Sequence, residues 1–344
     1  MKNKKILLIG PYPPPYGGVS VHIKRLKSLL SGGFDVDIVD EGRNRKDGIF
    51  NLRSLNIGRY LRKVFAADIV HIHSGLFFFR AFHFSIARLF FKKTIITIHG
   101  YEPRKGDKVR VLDSLILNNC NKVIFVTKEL AAWFRIKKHL IKDAFLPPDL
   151  NDEQEIPGEV INWIEKKKLQ GYSISIANAW RLDSHNNEDL YGLDLCIDAA
   201  KKLKARGIKA AFVFVVCDNA GVIKIDPYKQ IINYEGMEDY FLLWEAPLSF
   251  VKLILKSDIV LRPTNTDGDA LTVREGMFLG KTVIASDVVP RPPHTILFKN
   301  RDADSLAQTI ADFKMRGQNN TETSPETVDS IAYYKAYYNN NIYN

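Results

Sequence analysis

The sequence predicts an α/β protein made of two doubly wound domains, and three observations carry this prediction. The chain has 344 residues, about twice the size of a common single domain. Short apolar segments alternate with amphipathic ones along the whole chain, as in parallel sheets covered by helices on both faces. Apolar residues make up 46% and charged residues 26%, which is typical of a chain that buries hydrophobic cores. This composition excludes disordered, collagen-like and low-complexity proteins.

The strands and helices follow from this alternation. Near-continuous apolar runs are predicted to be buried parallel strands; they span residues 5–9, 36–39, 69–72, 94–98, 123–126, 173–177, 211–216, 259–261 and 282–285. Amphipathic segments between them predict helices, for example at residues 19–30, 110–119, 193–206 and 271–279. Doubly wound sheets bind ligands at the carboxyl ends of their strands, so functional residues are expected in the loops that follow strands.

Charge and composition both change in the middle of the chain. Residues 146–158 (LPPDLNDEQEIPG) are rich in proline and acid and are predicted to link the domains. Residues 1–150 carry 27 basic and 12 acidic groups, a net charge of +15, whereas the remainder carries −5. We predict domains over residues 1–150 and 151–325, and a tail over 326–344 that forms a helix docked on the first domain. The basic domain is expected to meet an anionic partner.

The sequence also indicates where the protein works. The three cysteines, Cys120, Cys196 and Cys217, form no CxxC pair, so a reduced setting is expected. The apolar stretch at residues 6–9 is too short for a signal peptide, and the chain has no uncharged run long enough to span a bilayer. We therefore predict a cytoplasmic protein, soluble or peripheral on the inner face of the cell membrane.

A glycine-containing loop follows the first predicted strand. After Gly10 the chain reads PYPPPYGG before a helix begins at Val19. Gly17 and Gly18 would let the backbone approach a ligand at the helix start, where free amides suit a phosphate. The loop is not GxGxxG, so a nicotinamide or flavin site loses its main support. A rigid turn without a ligand explains the loop alone equally well.

A second motif lies in residues 259–286 (IVLRPTNTDGDALTVREGMFLGKTVIAS). It predicts a strand, a loop over residues 263–269, a helix from about residue 270 to 279, a stop at Gly280 and another strand. The end of the first strand, the loop and the start of the helix would lie at the carboxyl edge of a parallel sheet. The loop and the helix start are therefore the predicted binding region.

Two carboxylates and a helix start give this motif its chemistry. Asp267 ends the loop and Glu275 follows eight residues later inside the helix, where its carboxylate could accept hydrogen bonds from vicinal hydroxyls. The free amides at the helix start belong to Ala270, Leu271 and Thr272. They favour a diphosphate bound between the two carboxylates. The alternative is that Asp267 only caps the helix and Glu275 pairs with a base on the solvent side.

Taken as a series, these motifs resemble the retaining GT-B glycosyltransferases of family 4. The two acids with seven residues between them, followed by GKTVIAS, are similar to that family's carboxyl-terminal signature, and PPYGG to its glycine loop. DIVHIHSG, TIITIHG and CNKVIFVTKELAAWF are similar to its central segments, and ISIANAWRLD with YGLDLCIDAAKKL to the start of its donor domain. The similarity covers nearly all of residues 4–312. It implies the GT-B architecture, in which two Rossmann-like domains face each other across a cleft.

The resemblance implies a role for each site residue. Glu275 would bind the ribose hydroxyls of the nucleotide, Asp267 would hold hydroxyls of the donor sugar, and the glycine loop would approach the donor phosphates. Arg181 would neutralise the departing diphosphate, and His99 would support the transferred sugar. The implied catalytic residues are His99, Arg181 and Asp267. The implied donor-binding residues are Gly17, Gly18, Arg181, Arg262, Asp267, Gly268, Asp269, Ala270, Leu271, Thr272, Arg274 and Glu275, with no metal ligand.

The sequence departs from the family pattern at three places. Tyr191, before Gly192, stands where the family usually has a lysine, and residues 147–149 (PPD) replace the usual PNG. The first acid of the motif is Asp267 rather than glutamate, which shortens its reach. Three arginines accompany the motif, and at least one is expected to supply the missing lysine's charge: Arg262, Arg274 and Arg291.

Histidines elsewhere have a simpler explanation. His71 and His73 flank Ile72 on one predicted strand and share a face. Metal binding is conceivable, but without nearby acids or cysteines a structural role is preferred. His99 considered alone would be a buried histidine at a strand end.

The sequence thus predicts a retaining, metal-independent glycosyltransferase of the hexosyltransferase type. It would move a sugar from a nucleotide diphosphate sugar of the UDP or GDP type to a glycan or polyprenyl-linked acceptor in bacterial surface polysaccharide biosynthesis, with no cofactor besides this donor. The spelling DGD at residues 267–269 lies inside the other motif and is not taken as a metal site. Two alternatives remain, a nucleotide-sugar epimerase on the same fold and a non-catalytic nucleotide-sugar-binding scaffold subunit.

The basic domain predicts one further partner. Residues 75–93 (GLFFFRAFHFSIARLFFKK) mix aromatic side chains with Arg80, Arg88, Lys92 and Lys93. One interpretation is a helix partly inserted at an anionic membrane surface, and the other is a core helix with solvated basic residues. Nucleic acid is not expected, because no binding motif or regular basic stripe is present.

Overall fold

The structure is a computed structural model that describes residues 3–14, 16–100, 106–268, 270–316 and 327–344. The chain divides into two compact units. One comprises Met1–Leu146 with Asp329–Asn344, and the other comprises Pro147–Val328. Each unit is built on a parallel sheet with helices between its strands, as the alternating apolar pattern predicts.

The first unit contains a seven-stranded parallel sheet. Its strands are β1 (Lys5–Gly10), β2 (Asp35–Asp40), β3 (Phe50–Asn51), β4 (Ile69–Ile72), β5 (Lys93–Ile98), β6 (Lys122–Phe125) and β7 (Leu140–Ile141). They are ordered β3-β2-β1-β4-β5-β6-β7. The connecting helices are α1 (Gly18–Leu30), α2 (Ile57–Ala66), α3 (Phe77–Leu89), α4 (Gly106–Asn118) and α5 (Lys128–Phe134), with a 3₁₀ turn at Leu52–Ser54.

The side chains of β1 show why this strand sequence is apolar throughout. Leu7 and Ile9 pack into the core on one face of the sheet, and Ile6 and Leu8 pack into the core on the other. Successive residues of a strand point to opposite faces, so a strand covered on both sides needs an apolar residue at every position.

The second unit contains a six-stranded parallel sheet and a small hairpin. The strands are β8 (Ser173–Ala179), β9 (Ser184–His185), β10 (Glu188–Asp189), β11 (Ala210–Val216), β12 (Phe241–Trp244), β13 (Ile259–Arg262), β14 (Thr282–Ser286) and β15 (Ile296–Phe298). The sheet order is β12-β11-β8-β13-β14-β15, and β9 pairs with β10 in antiparallel fashion. The helices are α6 (Gly158–Leu169), α7 (Leu193–Ala205), α8 (Asp226–Tyr234), α9 (Phe250–Lys256), α10 (Leu271–Phe278) and α11 (Ala303–Arg316), with a 3₁₀ turn at Leu150–Asp152.

The strand order of the second unit identifies where a ligand would bind. β8 lies between β11 and β13, so the chain leaves β8 in one direction and later returns to its other side. In doubly wound sheets, ligands bind at the carboxyl ends of the strands beside such a reversal. A ligand is therefore expected at the loops after β8 and β13.

The end of the chain belongs to the first unit. Helix α12 (Thr327–Tyr337) leads into a π-helical segment, Tyr338–Tyr343. Tyr338, Ile342 and Tyr343 are buried in the core on one face of the seven-stranded sheet. The Lys122 ammonium donates to the carbonyl oxygen of Asn341 at 2.8 Å. Among the described helices, none is both long and apolar enough to cross a membrane.

Candidate functional site

Helix α10 packs on two neighbouring strands of the second sheet, β13 and β14. A Cβ atom at Gly276 would lie 2.8 Å from Val283 Cγ2 and 3.1 Å from Val260 Cγ2, so glycine lets the helix pack directly on β13 and β14. The N-cap residue Ala270 supplies no capping side chain. Amides in the first turn of a helix have no partner within the helix and, with the helix dipole, attract an anion.

Asp267 lies in the loop between β13 and α10 and is only 7% exposed. Arg262 donates from Nε to Oδ2 at 2.9 Å and from Nη2 to Oδ1 at 3.0 Å. Arg291 Nη1 donates to Oδ2 at 2.7 Å, and the Thr264 hydroxyl and the Gly268 amide donate at 3.1 and 3.0 Å. A carboxylate has about four lone-pair positions, so these donors fully occupy it. The predicted contact with sugar hydroxyls would have to replace one of them, and it stays a prediction.

The two arginines also fix the ionisation state of Asp267. Burial by itself would raise the pKa of this carboxyl, but the hydrogen bonds and charges of Arg262 and Arg291 outweigh burial and hold the pKa below its usual value. Asp267 is therefore ionised at neutral pH. The side chain of Arg291 is only 2% exposed, so this guanidinium serves Asp267 rather than solvent.

Arg262 lies beside Tyr191, where the family lysine is missing. Its guanidinium carbon is 5.7 Å from the centroid of the Tyr191 ring. Burial raises the pKa of Tyr191, while the positive charges of Arg262 and Arg181 oppose that shift. Gly192 adopts a positive φ of 70°, and a Cβ there would lie 2.3 Å from the Pro263 carbonyl oxygen. The loop before α7 thus packs on the end of β13. That an arginine supplies the missing lysine's charge stays a prediction.

Arg181 follows β8 and reaches solvent at the same edge of the sheet. Its Nη2 atom is 3.0 Å from Asp218 Oδ2, and its side chain is 46% exposed. Arg181 is therefore partly open to solvent in spite of its ion pair with Asp218.

Asp189 is a site residue that the sequence analysis missed. Its carboxylate accepts hydrogen bonds from the amides of Tyr191, Gly192 and Leu193 at 2.9, 3.2 and 2.9 Å. It thereby caps the start of α7. The amides at the start of α7 are therefore taken up by Asp189, whereas the N-cap residue of α10, Ala270, supplies no capping side chain. Asp189 precedes the helix by four residues, a spacing that could have suggested a cap.

Glu275 lies in the second turn of α10 and is 5% exposed. The neighbouring Thr272 hydroxyl donates to Asn178 Oδ1 at 3.3 Å, which ties the start of α10 to the end of β8. Arg274 is half-buried and Gly268 is exposed. Asp269 lies outside the described residues. Binding of ribose hydroxyls by Glu275 stays a prediction.

In the first unit, the glycine loop leads into α1. The Ser20 hydroxyl donates to the Gly17 carbonyl at 3.0 Å and accepts from the Gly17 amide at 2.9 Å. A Cβ atom at Gly18 would meet no atom within 4 Å in the part of the chain that the structure describes. The approach of Gly17 and Gly18 to donor phosphates stays a prediction.

Three histidines gather at the carboxyl end of the first sheet. His73 follows β4, His99 follows β5, and His22 lies on α1. A Cβ atom at Gly10 would lie 2.7 Å from Ile23 Cδ1 and 3.1 Å from His73 Cβ, so glycine lets α1 pass close to this edge. We call His22, His73 and His99 the histidine cluster; its ring centroids are 4.8 to 5.3 Å apart.

The histidine cluster is held neutral by burial. His73 Nδ1 and His99 Nε2 are 3.0 Å apart, and His22 Nδ1 is 2.8 Å from the carbonyl oxygen of Ala144. Burial lowers the pKa of His22 to about 4 and lowers the pKa values of His73 and His99 well below the usual range. His71 stands apart from this cluster in function, because its two ring nitrogens bond to side chains of the core. The expected structural role fits His71.

Several solved structures are similar to this chain. HepE from Anabaena, in complex with UDP-glucose, is 12% identical with a TM-score of 0.61, over 96% of this chain and 94% of that chain. A glycosyltransferase from Rickettsia africae is 17% identical with a TM-score of 0.66, over 97% and 94%. Sucrose-phosphate synthase from Thermosynechococcus elongatus is 15% identical with a TM-score of 0.64, over 99% and 98%. No protein-family model matches the chain, and no curated protein matches it significantly.

At these identities the likeness concerns the fold. The predicted α/β fold class of GT-B type is confirmed, because the similarity extends over nearly the whole chain and each unit has its own parallel sheet.

Proposed function

We propose that this protein is a glycosyltransferase that moves a sugar from a nucleotide diphosphate sugar to an acceptor. The observation that carries the proposal is the cationic edge of the second sheet, where Arg262 and Arg181 lie near an uncapped helix start. The similar structure of HepE holds UDP-glucose, which supports a donor of this chemical class, UDP or GDP type.

The proposed mechanism needs no protein nucleophile and no metal in the transfer step. As the glycosidic bond to the donor breaks, negative charge grows on the leaving diphosphate. Guanidinium groups and helix amides that face this charge stabilise the transition state more than the bound donor. Arg181, with its half-exposed side chain, and the amides of α10 are suited to this task. The acceptor would then attack the same face of the sugar, with retention of configuration.

The main role of Asp267 would be to hold two arginine side chains in place. Its carboxylate holds Arg262 and Arg291 together through three hydrogen bonds, and it therefore positions the cation beside Tyr191. Glu275, two turns along the same motif, would receive the ribose hydroxyls. In the first unit the glycine loop would approach the donor phosphates and the neutral His99 would support the transferred sugar.

The proposed place of work is a bacterial surface-polysaccharide pathway, as a member of family 4 on the cytoplasmic side. The acceptor would be a glycan or polyprenyl-linked molecule. Support for a membrane contact comes from the first unit, where Phe65, Leu89 and Phe91 are large exposed apolar side chains. Phe65 contacts Phe90, and the Lys92 ammonium lies 5.2 Å from the Phe65 ring centroid. Basic and aromatic groups side by side suit an anionic lipid surface.

One residue predicted for that surface points elsewhere. Arg80 is buried and forms an ion pair with Asp113 in α4, and it donates to the Ser74 carbonyl at 2.6 Å. It therefore joins α3 to α4. The other basic side chains predicted for this surface are Arg88, Lys92, which donates to the Phe65 carbonyl at 2.7 Å, and Lys93, which reaches the Asn344 carbonyl at 3.5 Å.

A donor screen tests the activity. The full chain is incubated with UDP- and GDP-sugars and candidate acceptors, and free nucleotide and transferred sugar are measured. Transfer with one donor supports the proposal. Epimerised donor without acceptor would indicate an epimerase, and binding without turnover a scaffold subunit.

A matched pair of variants tests the site. Arg181→Gln is expected to lower turnover by tenfold or more without unfolding the protein, because the side chain is half-exposed. Arg206→Gln changes another arginine of the same unit, one that bonds to Gln308, and should leave turnover unchanged. Equal turnover in the two variants would contradict the role given to Arg181.

Flotation with vesicles tests the membrane contact. Wild-type protein should float with phosphatidylglycerol vesicles and less with neutral ones. The double variant Leu89→Ser, Phe91→Ser should float less, whereas Leu169→Ser, which changes a still more exposed leucine in the second unit, should float like wild type. Equal recovery with anionic and neutral vesicles would reject the membrane proposal.

A further inference from the structure

We propose that the histidine cluster, His22, His73 and His99, is a binding site for a transition-metal ion of the zinc class. One nitrogen from each of the three imidazoles lies within 4.8 Å of those from the other two. The site goes beyond the proposed function, because sugar transfer as described above needs no metal. Three histidine nitrogens with an open fourth position form a common zinc site.

His22 is in the tautomer that a metal needs. Its Nδ1 atom lies 2.8 Å from the Ala144 carbonyl oxygen. A carbonyl can only accept, so Nδ1 carries the proton and Nε2 keeps its lone pair. Metal-bound histidines typically donate their other ring N–H to a backbone carbonyl or carboxylate in this way. The carbonyl of Ala144 therefore orients His22 as a ligand.

His73 supplies the second observation. Its Nε2 atom is buried and has no hydrogen-bond partner in the described residues. A buried polar atom without a partner costs free energy, and such atoms are uncommon in native proteins. Its Nδ1 atom is 3.0 Å from His99 Nε2. A metal that binds His73 Nδ1 and His99 Nε2 would take the place of this hydrogen bond, and its proton would move to the other nitrogen of the ring that carries it.

The chemistry of the donor set selects the ion. Imidazole nitrogen suits zinc, copper, nickel and iron, whereas magnesium and calcium prefer oxygen. At a metal–nitrogen distance of about 2.0–2.1 Å, tetrahedral ligand atoms lie roughly 3.3 Å apart. The rings would therefore move closer by about 1 Å on binding. His99 is half-buried while His22 and His73 are buried, so an ion would enter beside His99.

Nearby charges modulate the affinity without preventing binding. The positive charge of Arg25 and the negative charge of Asp143 both act on His22, in opposite directions. Arg25 is already committed to the Leu146 carbonyl, to which Nη1 donates at 3.0 Å.

Cobalt titration of the full chain tests the site. Protein treated with a chelator is titrated with Co²⁺, and the visible absorption of four-coordinate cobalt is recorded; Zn²⁺ is then added to displace it. We expect one ion per chain and complete displacement by zinc. The readout does not involve sugar transfer, so the metal site and the proposed function can fail separately.

Variants locate the ion. His99→Gln and His22→Gln are each expected to weaken Co²⁺ binding by about tenfold or more. His139→Gln changes a histidine of the same unit that bonds to the Ile136 carbonyl, and it should bind like wild type. If His22→Gln does not fold, by circular dichroism, the half-exposed His99 carries the test alone. Absence of a cobalt spectrum, or unchanged affinity in His99→Gln, would overturn the proposal.

Discussion

Replacing Asp267 by asparagine is expected to destabilise the second unit strongly. The substitution keeps the shape of the side chain but removes the charge that holds Arg262 and Arg291. Removing one partner of a buried ion pair costs about 3–5 kcal/mol, because the other charge stays buried. Arg291 is 2% exposed and meets this condition, whereas Arg262 is 16% exposed and is partly served by water. We therefore expect the free energy of unfolding to fall by about 3 kcal/mol.

Urea unfolding measures this loss. Tryptophan fluorescence follows the second unit through Trp163, Trp180 and Trp244. The control is Asp304→Asn, which breaks an ion pair of Lys202 with a carboxylate that is 69% exposed; its effect should stay below about 0.5 kcal/mol. A loss of less than about 1 kcal/mol for Asp267→Asn would refute the reasoning, because it would mean that the two guanidiniums do not depend on this carboxylate.

The same variant predicts a dependence on pH. The pKa of Asp267 is lower in the folded protein than in the unfolded chain, so its contribution to stability is complete above the unfolded value, about 3.9. The contribution is lost as the pH falls through the folded value. The stability difference between wild type and Asp267→Asn should therefore shrink only in acid below about pH 4. A difference that already declines between pH 7 and pH 5 would contradict this assignment.

Three further substitutions probe other parts of the molecule. Gly192→Ala should lower the free energy of unfolding, measured by thermal unfolding, by about 2 kcal/mol or more, since its Cβ would strike a carbonyl oxygen at 2.3 Å. Gly207→Ala has the same φ but open space around the Cβ, so it should cost only about 1 kcal/mol in that assay. Glu275→Gln should weaken UDP binding, measured by calorimetry, by about tenfold or more, and unchanged affinity would remove Glu275 from the donor site. Tyr343→Phe should cost about 1–3 kcal/mol, because the buried His71 Nδ1 loses its hydroxyl partner at 2.5 Å; an unchanged melting temperature would show that this bond contributes nothing.

The strands that the sequence predicts are the interior ones, and the strands it misses lie at the edges. β3 and β7 form the edges of the first sheet, and β12 and β15 those of the second. These edge strands are short: β3 and β7 have two residues each, β15 has three and β12 has four. Their pattern therefore does not stand out from a loop. The hairpin of β9 and β10 has only two residues in each strand, too few for any period to show.

The candidate site was predictable where the residues are close in sequence. The motif around Asp267 and Glu275 places its loop, helix and following strand within thirty residues, and the structure has those elements there. The histidine cluster was not predictable, because His22 comes from a helix and His73 and His99 from two later strands. Only the sheet order, which sets β4 beside β1 and β5 beside β4, brings them together.

The burial of Tyr338, Ile342 and Tyr343 has a consequence for co-translational folding. The sheet of the first unit is synthesised early, yet part of the layer that covers one of its faces is translated only after the second unit. Until then Ile6, Leu8 and their neighbours lack that cover, and the nascent amino-terminal half has an apolar surface on which chaperones could act. Residues 1–146 expressed alone should accordingly aggregate. Co-expression of residues 329–344 should raise the yield of soluble protein.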